Sequence, residues 1–164
     1  MFISAGVECV SRYADFSGAG GAKAEWQNPK FADAQARSAQ IATDNSAWTD
    51  PREQGLLPDV YLSMGQTAEN VATSRGISRQ RQDEWGVSSQ NRAEKAIADG
   101  FFAREITPVT TPDGTVVSAD DGPRAGVTLE GVSGLQPVFR EQGTITAGNC
   151  CPLNDGAAAL VVMS

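Results

Sequence analysis

The sequence has 164 residues, 40% of them hydrophobic and 20% charged, with a formal net charge of −7. A chain of this length buries a sizeable core as one domain. Its negative charge excludes a general nucleic-acid-binding or anionic-membrane surface, because either needs a positive field. No apolar stretch approaches the roughly 20 residues of a membrane span. The opening MFISAGVECV has no basic region before an apolar core, so we expect neither a membrane anchor nor a secretory signal.

Cysteine and histidine usage limits the chemistry available to the chain. Three cysteines, two of them adjacent at Cys150 and Cys151, do not make a disulfide framework, which favours a cytoplasmic protein. The histidine count of zero removes Ser-His-Asp and Cys-His mechanisms and the usual zinc sites. We therefore expect no metal site. Any imidazole that a mechanism needs has to come from elsewhere.

Apolar runs of strand length lie at both ends of the sequence. The first lies between Phe2 and Val10, and the last, Ala157 to Met163, has no polar alternation. A run of that kind is typical of a strand buried on both faces, as in a parallel sheet. Such strands need helices on both faces and neighbouring strands, and the middle of the chain has too few amphipathic helices to supply them. We therefore expect an α/β segment of a larger protein with an incomplete sheet.

The first helices are marked by their composition and their end signals. Residues 31–42 predict a weak helix. Residues 67–74 contain good helix formers, and Gly76 stands where a C′ glycine ends a helix.

A long helix is predicted from about residue 79 to 99, with Ser78 as its N-cap and Gly100 after its end. Gly86 in its interior weakens it by roughly 1 kcal/mol relative to alanine. Four residues recur at four-residue spacing and predict the packed face: Trp85, Ser89, Ala93 and Ile97.

Turn signals organise the second half of the chain. Thr-Pro-Asp-Gly-Thr between two β-branched runs predicts a hairpin within residues 105–118. Leu129 to Leu135 predicts a short helix with Thr128 as its cap. We expect Cys150 and Cys151 to be small buried hydrophobic residues.

The loop before the last strand is small and polar, from Gly148 to Gly156. Glycine and alanine let a ligand approach the backbone closely, and open α/β sheets place their ligands at loops of this kind. Two interpretations stay open, the floor of a binding site and a tight connection without a ligand. Asn154 and Asp155 are expected to hold the turn through side-chain to backbone hydrogen bonds.

Segments along nearly the whole chain resemble the thiolase family in order and spacing, most weakly from residue 14 to 55. They are AGVECVSRY at 5–13, MGQTAENVA at 64–72, SRQRQDEWGVSSQNRAEKAIADGFFAREITPV at 78–109, DDGPRAGVTLEGVSGLQPVF at 120–139 and GTITAGNCCPLNDGAAALVVMS at 143–164. The resemblance implies part of a layered thiolase-like α/β fold, from the N-terminal half of a thiolase. It divides the chain into a core strand (1–13), an inserted α+β loop domain that binds coenzyme A (14–142) and a return to the core sheet (143–164).

The resemblance also implies an activity, that of an acyl-CoA C-acyltransferase. Such enzymes cleave a 3-ketoacyl-CoA with coenzyme A into acetyl-CoA and a shortened acyl-CoA, here in fatty-acid β-oxidation. They use a nucleophilic cysteine, a histidine and a second cysteine, and no cysteine of this chain occupies those positions. We therefore expect no catalytic residue in this chain and no activity from it alone. The alternative is a non-catalytic coenzyme A-binding module or a gene remnant.

Coenzyme A enters this expectation as a substrate, with acyl-CoA, and no permanently bound cofactor is implied. Full-length family members are homo-oligomers. The positions that match the family's residues beside the pantetheine arm are Leu56, Ser63, Met64, Ala147, Cys151 and Leu153. Those that match residues around the adenine nucleotide are Arg124, Gly131 and Phe139.

Four of the matched or neighbouring positions depart from a common family residue. Biosynthetic relatives often have a histidine at Ser63 and a serine at Cys151, and Gly131 and Pro152 replace a common serine and a common glycine. The serine at 63 favours the degradative type. Without the family, Met64 is expected in the core, and Arg124 is equally compatible with a ligand contact and a solvated loop.

Overall fold

The computed structural model describes residues 1–13 and 23–163. Its strands are β1 (Phe2–Glu8), β2 (Val109–Thr110), β3 (Val116–Val117) and β4 (Gly156–Val162), and its α-helices are α1 (Val10–Tyr13), α2 (Ala32–Asp44), α3 (Met64–Arg75), α4 (Arg79–Ala98) and α5 (Leu129–Ser133). Short 3-10 turns lie at Ala24–Trp26, Pro29–Phe31, Pro51–Gln54 and Phe102–Arg104. The predicted division into strand, insertion and return stays a prediction. The start of that insertion, residues 14–22, lies outside the described residues.

The two ends of the chain form one sheet. β1 and β4 pair along their full lengths, with Phe2 opposite Val162 and Glu8 opposite Gly156. The prediction that both terminal runs are strands is confirmed, but the expected parallel arrangement is wrong, because the pairing is antiparallel. Every residue of both strands is also exposed in this chain, not buried. An unbroken apolar run predicts that a strand is suited to burial, but it does not predict whether that strand pairs parallel or antiparallel with its neighbour.

The predicted helices are confirmed, and their caps explain the observed bounds. α3 begins three residues before the predicted 67 because the Ser63 hydroxyl accepts a hydrogen bond from the Gln66 amide. Gly76 ends it with a φ of 62°. The Ser78 hydroxyl caps α4 in the same way, and α2 continues two residues past its predicted end to an Asn45 with a φ of 54°.

The hairpin and the short helix are confirmed too. β2 and β3 pair antiparallel through Val109 and Val117, and Gly114 has a φ of 87° in the turn. α5 is shorter than predicted and ends at Ser133, and the Thr128 hydroxyl accepts the Gly131 amide at its start. α5 packs on α4.

The packed face of α4 differs from the predicted one. Trp85 is 69% exposed and Ile97 49%, whereas Asp83 is 1% exposed. Five residues of α4 that contact later segments of the chain follow each other at steps of three or four, which places them on one side of the helix. This set, called the polar stripe below, consists of Arg79, Asp83, Gly86, Gln90 and Glu94. The prediction fails because it assumed an apolar partner surface. The groups that meet this side of α4 are polar: the Asn149 side chain, backbone carbonyls, and the backbone amides of Arg124 and Gly126.

Buried residues concentrate where α3 and α4 meet residues 138–149. The buried apolar residues of the described chain are Ala34, Ala72, Val132 and Ile145. The buried polar ones are Glu69, Asn70, Asp83, Arg140 and Thr146. Since the polar set is the larger, hydrogen-bond geometry shapes this region as much as apolar packing does. None of the described helices has the length and apolarity to span a bilayer.

Gly86 is required by the close contact between α4 and the loop that follows Thr144. A Cβ atom at this position would lie 2.5 Å from the carbonyl oxygen of Gly148. We expect Gly86→Ala to lower the free energy of unfolding by about 1–3 kcal/mol, because overpacking against backbone outweighs the better helix propensity of alanine. Urea denaturation monitored by circular dichroism measures the change.

Gly134→Ala is the matched control for this substitution. Gly134 has a φ of −78°, and a Cβ there meets nothing within 4 Å. Alanine is therefore expected to be neutral or to stabilise by up to about 1 kcal/mol. Equal effects at both glycines would contradict the packing argument.

Candidate functional site

Residues 144–149, called the TAGN loop below, are fixed at their start by α3. The Glu69 carboxylate is 2% exposed. Its Oε1 accepts hydrogen bonds from the amides of Thr144 (2.8 Å) and Ile145 (2.9 Å), and its Oε2 accepts one from the Thr144 hydroxyl (3.0 Å). A carboxylate can accept several hydrogen bonds at once, so a single glutamate can bind consecutive backbone amides of a loop. One side chain of α3 thus sets the entry of the loop.

The end of the TAGN loop is fixed by α4. Asp83 Oδ1 accepts from Asn149 Nδ2 at 2.9 Å. The same amide group donates to the Thr144 carbonyl at 3.0 Å, and Asn149 Oδ1 accepts from the amide of Thr146 at 2.8 Å. Asn149 therefore closes the loop on itself and joins it to the helix. Thr146, at the centre of these bonds, has no exposed surface.

Arg79 connects the same carboxylate to α5. Its Nε donates to Asp83 Oδ2 at 2.8 Å, and its Nη2 donates to the carbonyls of Val132 and Leu135, each at 3.0 Å. A cation at the C-terminal end of a helix is favourable because the carbonyls there carry partial negative charge. Gly148 packs on this end of α5, since a Cβ there would lie 3.0 Å or less from Val132 and Leu135. The loop and α5 are therefore held by one cluster of charges.

A second buried cluster joins α3 to residues 139–140. Arg140 is 5% exposed; its Nε donates to Gln66 Oε1 at 3.0 Å and its Nη2 donates to Asn70 Oδ1. Gln66 Nε2 donates to the Phe139 carbonyl. The Phe139 ring lies on Gly65, where a Cβ would come within 2.2 Å of it. This contact places Phe139 beside the first turn of α3.

Three of the sequence-predicted site residues lie on segments that α4 holds together. Ala147 is exposed within the TAGN loop, between the buried Thr146 and the half-buried Gly148. Gly131 is exposed on α5, next to Val132, which packs on Gly148. The Arg124 amide donates to Gln90 Oε1 of α4 at 2.9 Å, and the residue itself is exposed.

The other predicted site residues have different surroundings. Met64 is 74% exposed at the start of α3, so the expectation of a core methionine is wrong. The Ser63 hydroxyl is engaged as the cap of that helix. Cys151 and Leu153 are exposed in the loop before β4. Leu56 lies apart from these and lines a cavity of about 140 Å³ against α2.

The cysteines are not the buried hydrophobic residues that the sequence predicts. Cys150 and Cys151 are exposed, and Cys9 is half-buried. Partial burial of its sulfur raises the pKa of the Cys150 thiol, and the adjacent Cys151 raises it further. A thiol with a raised pKa carries less thiolate at neutral pH, so Cys150 is not activated as a nucleophile. Within the described residues, no group of three or more potential metal-binding side chains comes together.

Asp155 does not hold its own turn as expected. It accepts hydrogen bonds from the amide (2.8 Å) and the hydroxyl (2.7 Å) of Ser11, at the start of α1. The amide bond, followed by the hydroxyl bond, holds the pKa of Asp155 below its usual range. Any stabilisation from this link is therefore present at neutral pH and is lost as the pH falls through the lowered pKa. The bond ties the beginning of β4 to the end of β1.

The sequence interpretation missed the residues that hold the site: the buried Glu69, Asp83 and Arg140, and the half-buried Arg79 and Asn149. Charged side chains on helices are usually solvated, and periodicity gave no reason to place these inside. One signal was available on α3. Gly65, Glu69 and Ala72 follow a helical spacing, and two small residues flanking a carboxylate on one face indicate close approach of another segment.

Comparison with known proteins identifies the family of this arrangement. Residues 15–164 match the family profile described as the N-terminal domain of thiolase. Over its whole length the chain is 37% identical to a β-ketoadipyl-CoA thiolase of Acinetobacter baylyi, of which it covers 39%. Over 65% of its length it is 52% identical to an acetyl-CoA acetyltransferase of Cupriavidus necator, of which it covers 28%.

Solved structures agree with the sequence relatives. The dimeric peroxisomal thiolase of Saccharomyces cerevisiae matches 96% of the chain with a TM-score of 0.67 and 30% identity, and the chain covers 34% of it. The acetyl-CoA acetyltransferase of Bacillus anthracis matches 62% with a TM-score of 0.56 and 42% identity, and 26% of that protein is covered. The chain thus spans between 26% and 39% of the length of these relatives. It belongs to the thiolase family, and its helices and strands form part of the α/β thiolase fold.

Proposed function

We propose that this chain supplies coenzyme A-binding surface to an acyl-CoA C-acyltransferase. One observation carries the proposal: the TAGN loop, α5 and the Arg124 segment are all fixed on α4, with Ala147, Gly131 and Arg124 exposed on them. These are residues at which the thiolase resemblance predicts coenzyme contacts. A rigid support with small exposed residues is what a ligand that approaches backbone closely requires.

The chemistry of the exposed residues fits the two parts of coenzyme A. Its nucleotide carries phosphates and a base, and a guanidinium such as that of Arg124 pairs with the former and stacks on the latter. Its pantetheine arm is a chain of amides and methylenes. Small and apolar side chains at Ala147, Leu153 and Met64 leave room for that arm and cover its methylenes. Cys151 offers only a weak hydrogen-bonding sulfur, so its part in the site falls to its backbone.

The reaction that we propose for the longer protein is cleavage of a 3-ketoacyl-CoA by coenzyme A, in fatty-acid β-oxidation. Acyl-CoA is the substrate, and the cytoplasm is the location that the cysteine usage favours. The names of the relatives, acetyl-CoA acetyltransferase and thiolase, support acyl transfer to and from coenzyme A. Since the chain has no histidine, we infer that it binds and orients coenzyme A and leaves the proton transfers to residues from elsewhere.

A second candidate is a coenzyme A-binding module without catalytic activity. The zero histidine count favours it, and a 3-ketoacyl-CoA cleavage assay separates the two when it is run on the chain with and without thiolase segments added in trans that supply both the upstream nucleophilic cysteine and the downstream histidine and second cysteine. Activity restored in trans supports the enzyme segment. Binding of coenzyme A without activity in either case supports the module.

Titration calorimetry with coenzyme A tests the binding surface directly. We expect Arg124→Ala to raise Kd by about 10- to 100-fold, because a hydrogen bond to a charged group contributes about 1.5–3 kcal/mol. Arg81→Ala is the matched control, since Arg81 is an exposed arginine on α4 whose contact is Glu84. A wild-type chain that binds no coenzyme A, or an equal loss in both variants, would contradict the proposal.

A further inference from the structure

We propose that α4 is the positioning element of the coenzyme A site, and that its polar stripe fixes the pantetheine-binding and nucleotide-binding segments in register. This inference rests on the proposed function. It assigns a role to residues that do not touch the ligand: they act by fixing the backbone of the segments that do.

The N-terminal half of the polar stripe holds the pantetheine side. Asp83 binds the Asn149 side chain, and Gly86 allows the Gly148 carbonyl to approach where a Cβ would lie 2.5 Å away. Arg79 bonds Asp83 and also holds the carbonyls of Val132 and Leu135, and so joins this side to α5, which carries Gly131 of the nucleotide side. Ala147 stands next to Gly148, so its position follows directly from these contacts.

The C-terminal half of the polar stripe holds the nucleotide side. Gln90 Oε1 accepts the Arg124 amide at 2.9 Å, and Glu94 Oε2 accepts the Gly126 amide at 3.1 Å. Gly126 has a φ of 69°, so the segment turns between the two bonds. Because both bonds are made to backbone, the Arg124 guanidinium is left exposed to contact a ligand.

The spacing along α4 fits a ligand with two separated binding parts. Asp83 and Gln90 are seven residues apart on one helix, which is about 10 Å along its axis. A helix is stiff over this distance, and bonds to one helix therefore hold the TAGN loop and the Arg124 segment at a fixed separation. Hydrogen bonds fix direction as well as distance, and that explains why the packed face is polar rather than apolar.

The test compares coenzyme A with its nucleotide half, 3′-phosphoadenosine 5′-diphosphate, by calorimetry under conditions where circular dichroism shows every variant folded. Gly86→Ala displaces the TAGN loop and is expected to raise Kd for coenzyme A about tenfold, with Kd for the nucleotide half changed less than about twofold. Gln90→Ala releases the Arg124 segment and is expected to raise both Kd values by a similar factor. A variant that only lost stability would change Kd for both ligands by the same factor, so a difference between the two Kd values cannot come from stability alone.

Control and second variants complete the design. Ser89→Ala, on the exposed side of α4 away from the polar stripe, is expected to change neither Kd. If Gly86→Ala does not fold, Asn149→Ser removes the bond to Asp83 and carries the same expectation. A wild-type chain that binds coenzyme A, with variants that affect both ligands equally or neither, overturns this inference alone. A wild-type chain that binds no coenzyme A overturns the proposed function and this inference with it.

Discussion

Glu69→Ala is expected to lower the free energy of unfolding by about 3–5 kcal/mol. The substitution leaves the part-buried amide of Thr144 and the buried amide of Ile145 without their acceptor, and an unsatisfied buried donor costs about 1–3 kcal/mol. It also opens a cavity between α3 and the TAGN loop, which adds to the loss. Urea denaturation followed by circular dichroism and by tryptophan fluorescence measures the change, and agreement of the two probes checks that the transition is two-state.

Two further variants identify the cause of this loss. Glu69→Gln keeps one acceptor oxygen for the two amides, and the Thr144 hydroxyl can then donate to Gln82 instead; we expect a loss of about 1–2 kcal/mol. Glu84→Ala removes an exposed carboxylate paired with Arg81 and is expected to cost less than about 1 kcal/mol. If Glu69→Gln is as destabilising as Glu69→Ala, charge rather than hydrogen bonding to the loop explains the effect.

The helices could be predicted from the sequence because their ends are determined locally. Ser63 and Ser78 accept the amides of their own first turns, and Gly76 adopts a left-handed φ that other residues avoid. The hairpin follows the same logic, since Gly114 supplies the positive φ of its turn. In each case the residues that decide the structure lie within a few positions of it. Local chemistry therefore fixed these elements without reference to the rest of the chain.

The packed face of α4 could not be predicted because it depends on a distant partner. Trp85 and Ile97 made the more hydrophobic side of the helix, and burial of apolar surface is the general expectation. The side that is used faces the TAGN loop, some 60 residues later, and that loop offers amide and carbonyl groups. Gly86 does indicate the packed side of the helix. A glycine inside a helix costs about 1 kcal/mol, so its presence there suggests that another segment packs closely against it.

In the candidate site, too, individual residues could be identified from the sequence, but the contacts that hold them together could not. Arg124, Gly131 and Ala147 were identified by resemblance, and the structure places their segments on one helix. Nothing in the spacing of these residues indicated that support. The connection runs through Asp83 and Asn149, 66 positions apart in the sequence. Side chains that act across such distances become visible only when the fold brings them together.

Asp83→Ala is the substitution with the other largest expected effect, a loss of about 3–5 kcal/mol. Asp83 is 1% exposed and bonds both Arg79 and Asn149. Its removal leaves a largely buried guanidinium without a counter-charge and releases the TAGN loop from α4. Urea denaturation measures the loss, and Lys95→Ala, which breaks an exposed pair with Asp99, is the control expected to cost less than about 1 kcal/mol.

A double-mutant cycle shows whether the loss comes from the Asp83–Arg79 pair. Once Arg79 is replaced by alanine, no buried cation is left to be uncompensated, so Asp83→Ala should cost less in that background. We expect a coupling free energy of about 1–3 kcal/mol between the two positions. Additive losses would mean that the carboxylate acts mainly through Asn149, and the cycle between Asp83 and Asn149 should then carry the coupling. Additivity in both cycles would contradict the view that this carboxylate joins α4, α5 and the TAGN loop into one unit.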